Sequence, residues 1–247
     1  MTKVTNIFNQ NPILKPVGVL ALFSIVCTFL LGFKIIEINQ FRGFYLIWNL
    51  FLAWIPLFIS LLLYQKVFTA GENQKQWAII ALTFVWLLFF PNAPYIISDI
   101  IHMRKSNQLV WLDALIIFGF ATIGLNVGLL SLFIVQKCVS KIYGKAFGWT
   151  FISFTIFLSG FGIYLGRDLR YNSWDIITKP EELLLDCISQ WNNLHAWNMS
   201  MAYAMFIFMA YLTIRSFVGL GQQEQPVEDT ATYQSGRKMR FSFNKLN

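Results

Sequence analysis

Charge is what this chain has least of. Only 13% of its 247 residues are Asp, Glu, Lys or Arg, while 56% are hydrophobic and the mean hydropathy is +0.55. A water-soluble domain of this composition would have too little polar surface to cover its core, so that class is excluded. Histidine is nearly missing as well, with His102 and His195 the two present. No His-Glu-x-x-His or comparable zinc spacing can be built from them. Of the three cysteines, Cys27 lies inside an apolar run, Cys138 at the end of another and Cys187 in a connection. No two are placed to bridge, and Cys-x-x-Cys and Cys-x-x-Cys-His are both missing. A phosphate-cradling glycine loop and a serine nucleophile elbow are likewise not found. These absences leave open whether the chain is an enzyme, and they imply no cofactor.

What the chain does have is apolar length. Runs long enough to cross about 30 Å of hydrocarbon extend over residues 17–33, 44–64, 77–101, 114–135, 146–165 and 199–220. The expected fold is therefore all-α, an integral membrane bundle of six transmembrane helices. The first run is followed by Lys34-Ile35-Ile36-Glu37 instead of a small-residue cleavage site, so it reads as a retained anchor. Residues 1–16 form an N-terminal segment, 17–220 the membrane domain and 221–247 a basic tail. Arg237, Lys238, Arg240 and Lys245, four of the 19 Lys and Arg, sit in that tail after a polar stretch. The tail reads as disordered and suited to touching anionic lipid. Nucleic acid is not an expected partner, because no folded soluble domain is left to present a groove. Twelve of the 19 Lys and Arg fall on the side of the two termini and seven on the other. The positive-inside rule then puts both termini in the cytoplasm, with the chain in the inner cell membrane.

Small and polar residues inside the runs predict packing. Gly124 and Gly128 in the fourth run, and Gly162 and Gly166 in the fifth, form Gly-x-x-x-Gly pairs that let backbones approach, so these two helices should touch. Asn49 and Asn126 read as interhelical hydrogen-bond partners. Met199, Met201, Met205 and Met209 read as gap-filling core.

Two polar sequences interrupt the apolar pattern, and six spans bring both to the same side. In the third run, Pro91-Asn92-Ala93-Pro94 should break or kink the helix, because each proline lacks an N–H and disfavours helix at the residue before it. A second helical segment can begin there, with Asn92 near its N-cap and Pro94 in its first turn. Tyr95, Asp99 and His102, at i, i+4 and i+7, would then share one face. Asp113 opens the fourth helix close to the same boundary, where it suits an N-cap or first-turn anion. Asp99, His102 and Asp113, with Asp175, are the candidate acid/base residues. If a metal were bound, its ligands would come from Asp99, His102, Asp113 and His195.

The other polar sequence is Gly166-Arg167-Asp168-Leu169-Arg170-Tyr171-Asn172-Ser173-Trp174-Asp175. If the fifth helix continues through it, Arg167 and Arg170 share a face with Trp174 a further turn on, an arrangement suited to a phosphate or carboxylate. Tyr95, Arg167, Arg170, Asn172 and Trp174 are thus the candidate binding residues. The opposing reading is local neutralisation of both arginines by Asp168 and Asp175. Downstream, Pro180-Glu181-Glu182 suits a helix start, and Leu184, Leu185, Ile188 and Trp191 recur at helical spacing. That segment is too short to span, and could lie in the interface over the site or simply pack.

The Phe-Phe-Pro-Asn-Ala-Pro-Tyr segment, Asp99 with His102, Trp111-x-Asp113 and Gly-x-Tyr-Leu-Gly-Arg-x-x-Arg-x-Asn-Ser-Trp-Asp at 162–175 resemble a family of bacterial multi-pass membrane proteins known only as a domain of unknown function. The resemblance covers about residues 20–220 and implies a membrane location, without an activity. Three readings stay open. The leading one is binding or transport of an anionic lipid headgroup or small ion at an extracytoplasmic-side site. The others are a membrane hydrolase or transferase using Asp99, His102 and Asp113, and a non-catalytic scaffold or assembly factor with a membrane-protein partner.

Overall fold

The computed structural model describes residues 13–38, 43–69, 76–102 and 110–223. The tail from 224 onward and all but the end of the N-terminal segment lie outside the described residues. Two compact units divide the chain, Met1–Met209 and Ala210–Asn247. The first carries the site described below; the described part of the second is the C-terminal portion of one helix.

Among the described residues the fold is all-α, with six helices long and apolar enough to cross a membrane. These are α1 (Leu14–Ile38), α2 (Phe44–Thr69), α3 (Gln76–Phe89) continued by α4 (Asn92–Tyr95) and a 3-10 helix (Ile96–His102), α5 (Val110–Tyr143), α6 (Lys145–Arg167) and α9 (Leu194–Gln223). Between α6 and α9 lie the short α7 (Asp175–Thr178), α8 (Pro180–Ser189) and a 3-10 turn (Gln190–Asn192). Helices outrun the apolar stretches because lysines and polar residues at their ends remain helical while reaching water. The 34 residues of α5 rise about 51 Å, well beyond the hydrocarbon core.

α5 is the central element. In its spanning window 61% of residues are buried, against 11% for α1, and it packs on α1, α2, α4, α6 and the 3-10 helix. At one end α1 is tied to it by an ion pair between Lys34 and Asp113. The aspartate sits in the first turn of α5, so its charge also complements that helix's dipole. At the other end Lys141 Nζ donates to the Val67 carbonyl (3.1 Å) and lies 4.1 Å above the Phe68 ring. One residue, Gly144, turns the chain from α5 into α6, at φ +93° where a side chain would be strained.

Proline interrupts the third span in its hydrogen bonding more than in its direction, as the axis bends by only 13°. Ala93 N–H bonds the Phe90 carbonyl at i−3 (3.1 Å). In an α-helix it would have served the Phe89 carbonyl, which instead accepts from the Asn92 side-chain amide (2.9 Å). Asn92 is thus the first residue of α4, with Pro91 at the cap, and its amide turns back to satisfy the break. From Ile96 the helix is 3-10. Its three-residue turn departs from the α-helical i, i+4, i+7 register expected for Tyr95, Asp99 and His102, yet Tyr95 and Asp99 both reach Arg167; the His102 side chain lies outside the described residues.

The glycine pairs close on this break. A Cβ at Gly124 would stand 2.7 Å from the Ala93 carbonyl oxygen, and one at Gly128 3.0 Å from the Ala93 Cβ. From the other side, a Cβ at Gly162 would stand 3.0 Å from the Pro91 ring and one at Gly166 3.1 Å from the Tyr95 ring. α5 and α6 do touch each other, as expected, but their glycines serve the segment between them. Two other expectations fail. Asn126 bonds the Thr122 carbonyl of its own helix, and Met201, Met205 and Met209 are exposed on α9, where lipid covers them. Among the described cysteines Cys27, Cys138 and Cys187, none is bridged.

Helix contact through missing side chains makes a sharp prediction. A Cβ at Gly160 would overlap the Ser200 carbonyl oxygen, whereas one at Gly32 meets nothing within 4 Å. Gly160→Ala should cost about 1–3 kcal/mol through forced separation of α6 and α9. Gly32→Ala should be neutral, or stabilising by up to about 1 kcal/mol through helix propensity. Thermal unfolding of the two variants in detergent measures the contrast, and equal losses would contradict the packing.

Candidate functional site

Asp99 is the buried charge around which the site is organised. It sits in the 3-10 helix after the break and is 1% exposed. Its Oδ1 accepts from Arg167 Nη2 (3.0 Å), and its Oδ2 from Asn49 Nδ2 of α2 (2.9 Å). Arg167 is the last residue of α6, and its guanidinium carbon also lies 5.2 Å from the centre of the Tyr95 ring. One carboxylate therefore joins three spans, and an aromatic face backs the cation. A second cross-link runs parallel to it. Asn92 Nδ2, besides serving Phe89, donates to Ser173 Oγ (2.7 Å). The two polar sequences meet directly, through Asp99 with Arg167 and Asn92 with Ser173.

Beyond Arg167 the helix stops. Asp168 is its C-cap, the Tyr171 N–H returns to the Leu165 carbonyl (3.1 Å), and Arg170 adopts φ +62°. Arg170 is the only non-glycine residue with positive φ among the described residues. The expected common face for Arg167 and Arg170 is consequently absent: the first is engaged by Asp99, the second stands apart and exposed. Local neutralisation is not what occupies the acids either. Asp168 Oδ2 lies 2.9 Å from His195 Nε2, and Asp175 accepts from the Asn172 N–H (2.7 Å) and the Thr178 hydroxyl (3.0 Å). The Asn172 N–H, aided by Thr178, holds the Asp175 carboxyl below its usual range. Among the described residues no acid is ion-paired with Arg170.

A cavity of about 720 Å³ opens beside this junction, between α2, the broken span, α6 and the segment that follows it. Its wall along the spans is apolar, from Leu52, Leu87, Leu88, Leu158 and Phe161; its other end is polar, from Asn49, Asn92, Tyr95, Arg167, Arg170 and Asn172. Four of the five predicted binding residues thus line one space. Trp174 is not among the lining residues; it precedes α7 and is 37% exposed.

α8 supplies one more wall, through Leu183 and Cys187. It is fastened by Tyr171, whose hydroxyl donates to Asp186 Oδ2 (2.6 Å). That bond, with burial and the Asp186 charge, pushes the phenol up to about 12, so it remains a donor at neutral pH. Burial, then the Asp186 charge, pushes the Cys187 thiol up as well. Further along, Tyr164 Oη donates to Gln190 Oε1 (2.8 Å), which also accepts from Asn193 Nδ2 (2.7 Å). Asn193 Oδ1 in turn accepts from the His195 and Ala196 N–H groups at the start of α9.

The acid/base and metal candidates are dispersed among these networks. Asp99 is bonded to Arg167 and Asn49, Asp113 to Lys34, Asp175 to its own turn and His195 to Asp168. Among the described residues no three His, Cys, Asp or Glu side chains gather as metal ligands; His102 lies outside that statement. Sequence reasoning did not find the Tyr171–Asp186 and Tyr164–Gln190 bonds, nor the apolar wall. Tyrosines beside a polar helix were a signal only in retrospect.

Both partners of the central pair are buried, with side chains 11% and 2% exposed for Arg167 and Asp99. Removing one leaves a charge without its counter-ion, which costs about 3–5 kcal/mol. Arg167→Met should therefore lower stability by about that amount, and addition of Asp99→Asn should recover part of it. Denaturation of the single and double variants measures the coupling; additive losses would show that the pair does not act as a unit.

No curated protein and no solved structure matches the chain. The family described as "Protein of unknown function (DUF1361)" matches residues 48–210, a stretch containing Asn49, the proline break, both arginines and α8. The chain therefore belongs to this family of unknown function, as a protein with six apolar helices fit to cross a membrane.

Proposed function

We propose that the cavity binds a single anionic amphiphile, its charged group at Arg170 and its apolar part along Leu87, Leu88, Leu158 and Phe161. The observation that carries this is the pairing of an apolar wall with a cation that has no acid partner among the described residues. Arg167 contributes shape and hydrogen bonding, but its charge is balanced by Asp99. Arg170 lines the same space and is held at φ +62°. A left-handed residue costs about 1–2 kcal/mol, and strain of this kind commonly serves to aim a functional group. A bare anion would leave the apolar wall unused, while an uncharged lipid would leave the guanidinium unanswered.

The geometry favours binding over acid/base chemistry. Both Asp99 oxygens accept hydrogen bonds from fixed donors, its charge is matched by Arg167 and it is not among the residues lining the cavity, whereas a general acid or base must come within hydrogen-bond reach of the proton it moves.

Purified protein should be stabilised by phosphatidylglycerol and left unaffected by phosphatidylcholine or by inorganic phosphate, read as thermal shift against concentration. Arg170→Gln should weaken the phosphatidylglycerol response about tenfold or more, as expected for loss of a charge-assisted contact. Arg170→Gly should do the same while raising basal stability by about 1 kcal/mol, because glycine relieves the left-handed strain. Equal shifts with phosphatidylcholine, or unchanged shifts in both variants, would end the proposal; a shift with inorganic phosphate alone would replace the amphiphile by a free anion.

The cavity's polar end faces the extracytoplasmic side of the inner membrane in this reading, with both termini cytoplasmic, on the twelve-to-seven division of the 19 Lys and Arg. Glu182→Cys, on exposed α8, should react with a membrane-impermeant maleimide added outside spheroplasts. Protection until the membrane is permeabilised would reverse the orientation.

A further inference from the structure

α8 is built inside out for a surface helix. At 100° per residue its ten positions and the following turn divide into three sectors. Leu183, Asp186, Cys187 and Gln190 form the inward one, which walls the cavity and carries the bonds to Tyr171 and Tyr164. Leu184, Leu185, Ile188 and Trp191 form a second, about 120° wide, which Glu181 of the first turn shares at the N-terminal end, and the four apolar residues are 63%, 66%, 63% and 71% exposed. Glu182 and Ser189 occupy the narrow third. A helix in water hides its apolar sector and shows its polar one. Here the side toward the protein is already filled by hydrogen-bonded groups, and the apolar sector points away from it.

We infer that α8 lies in the membrane interface, with the Leu184–Trp191 sector immersed in the lipid of the headgroup–acyl boundary and the Glu182–Ser189 stripe toward water. Three observations select lipid as the occupant. The helix joins the ends of two membrane spans, α6 and α9, so it is held at the depth of a boundary. Ile177 and Leu194, on either side of it in sequence, are 79% and 72% exposed, so further apolar surface flanks the sector at both ends. Trp191 adds the residue type that concentrates at headgroup level. Ten residues cannot span but suffice to lie flat, with the apolar sector buried to a shallow depth. The bilayer thereby holds the outer face of the helix whose inner face closes the cavity. This seat does not depend on what the cavity binds.

Spin labels on the full chain in phosphatidylglycerol/phosphatidylethanolamine vesicles test the seat, after Cys27→Ala, Cys138→Ala and Cys187→Ser remove the native thiols. Labels introduced by Leu184→Cys, Leu185→Cys and Ile188→Cys should relax several-fold more with oxygen than with a water-soluble nickel chelate. Labels from Glu182→Cys and Ser189→Cys should show the reverse preference. The three apolar positions are exposed, so labelling them removes no packed contact within the chain. Nickel access at the apolar positions equal to that at Glu182 would place them in water. Exclusion of both reagents there would place them against a second copy or a protein partner. Either result overturns the inference, and neither bears on the response to phosphatidylglycerol that tests the cavity.

Discussion

A proline break inside a membrane span has to be sealed by protein, since no water is on hand in hydrocarbon to satisfy the backbone groups it releases. Everything distinctive in this structure follows from how Pro91 and Pro94 are accommodated. The Phe89 carbonyl is taken by the Asn92 amide, and the faces around the break are smoothed by glycines of α5 and α6 that come within contact of Ala93, Pro91 and Tyr95. With the break enclosed from two sides, the axis barely bends. The chain beyond it continues as a tighter 3-10 helix, and that change of pitch carries Asp99 to Arg167 and Asn49.

The ion pair this produces is an unusual investment for a bundle that could have packed aliphatic side chains there. A buried pair gains little over a well-packed apolar contact and punishes any arrangement that separates its members. Its value lies in register. Asp99 can satisfy both oxygens only when α2, the 3-10 helix and the end of α6 are simultaneously in place, so misaligned spans would strand a charge. The pair also uses up Arg167, which leaves Arg170 as the cation available at the cavity and gives physical meaning to its left-handed backbone.

How far the amino-acid sequence foretells this depends on the range of the interaction. Six spans were legible from run length because hydrocarbon thickness acts on each helix alone. Pro91, Asn92 and Pro94 announced a break through local backbone chemistry, and the meeting of the two polar sequences followed from spans alternating sides. The partner choices were not legible. Asp168 and Asp175 are near Arg167 and Arg170 in sequence and suggested neutralisation, yet Asp168 goes to His195 and Asp175 to the Asn172 N–H, because the helix ends at Arg167 and the next turn re-aims each side chain. The glycine pairs were legible in part: the two helices that carry them do touch, but spacing does not name the surface each glycine meets, which is the broken segment between them. For the Met201–Met209 series the error lay in the solvent, since flexible apolar side chains that would be core in water are at home against lipid.

The two ends of the bundle differ in a way that bears on where a ligand enters. Where α5 turns into α6, one glycine makes the connection and Lys141 is tucked onto Val67 and Phe68, so that end is closed by short covalent and polar ties. The other end carries the cavity, and its covering wall, α8, is held by side-chain hydrogen bonds from Tyr171 and Tyr164. Tyr171 belongs both to the cavity lining and to the fastening of α8. An occupant that displaced its ring would strain the bond to Asp186, and a shift of α8 in the lipid would move Leu183 and Cys187 in the cavity wall. One phenol thus stands where the cavity lining and the fastening of α8 meet, so the amphiphile proposed inside and the lipid seat proposed outside would both act on the Tyr171–Asp186 bond.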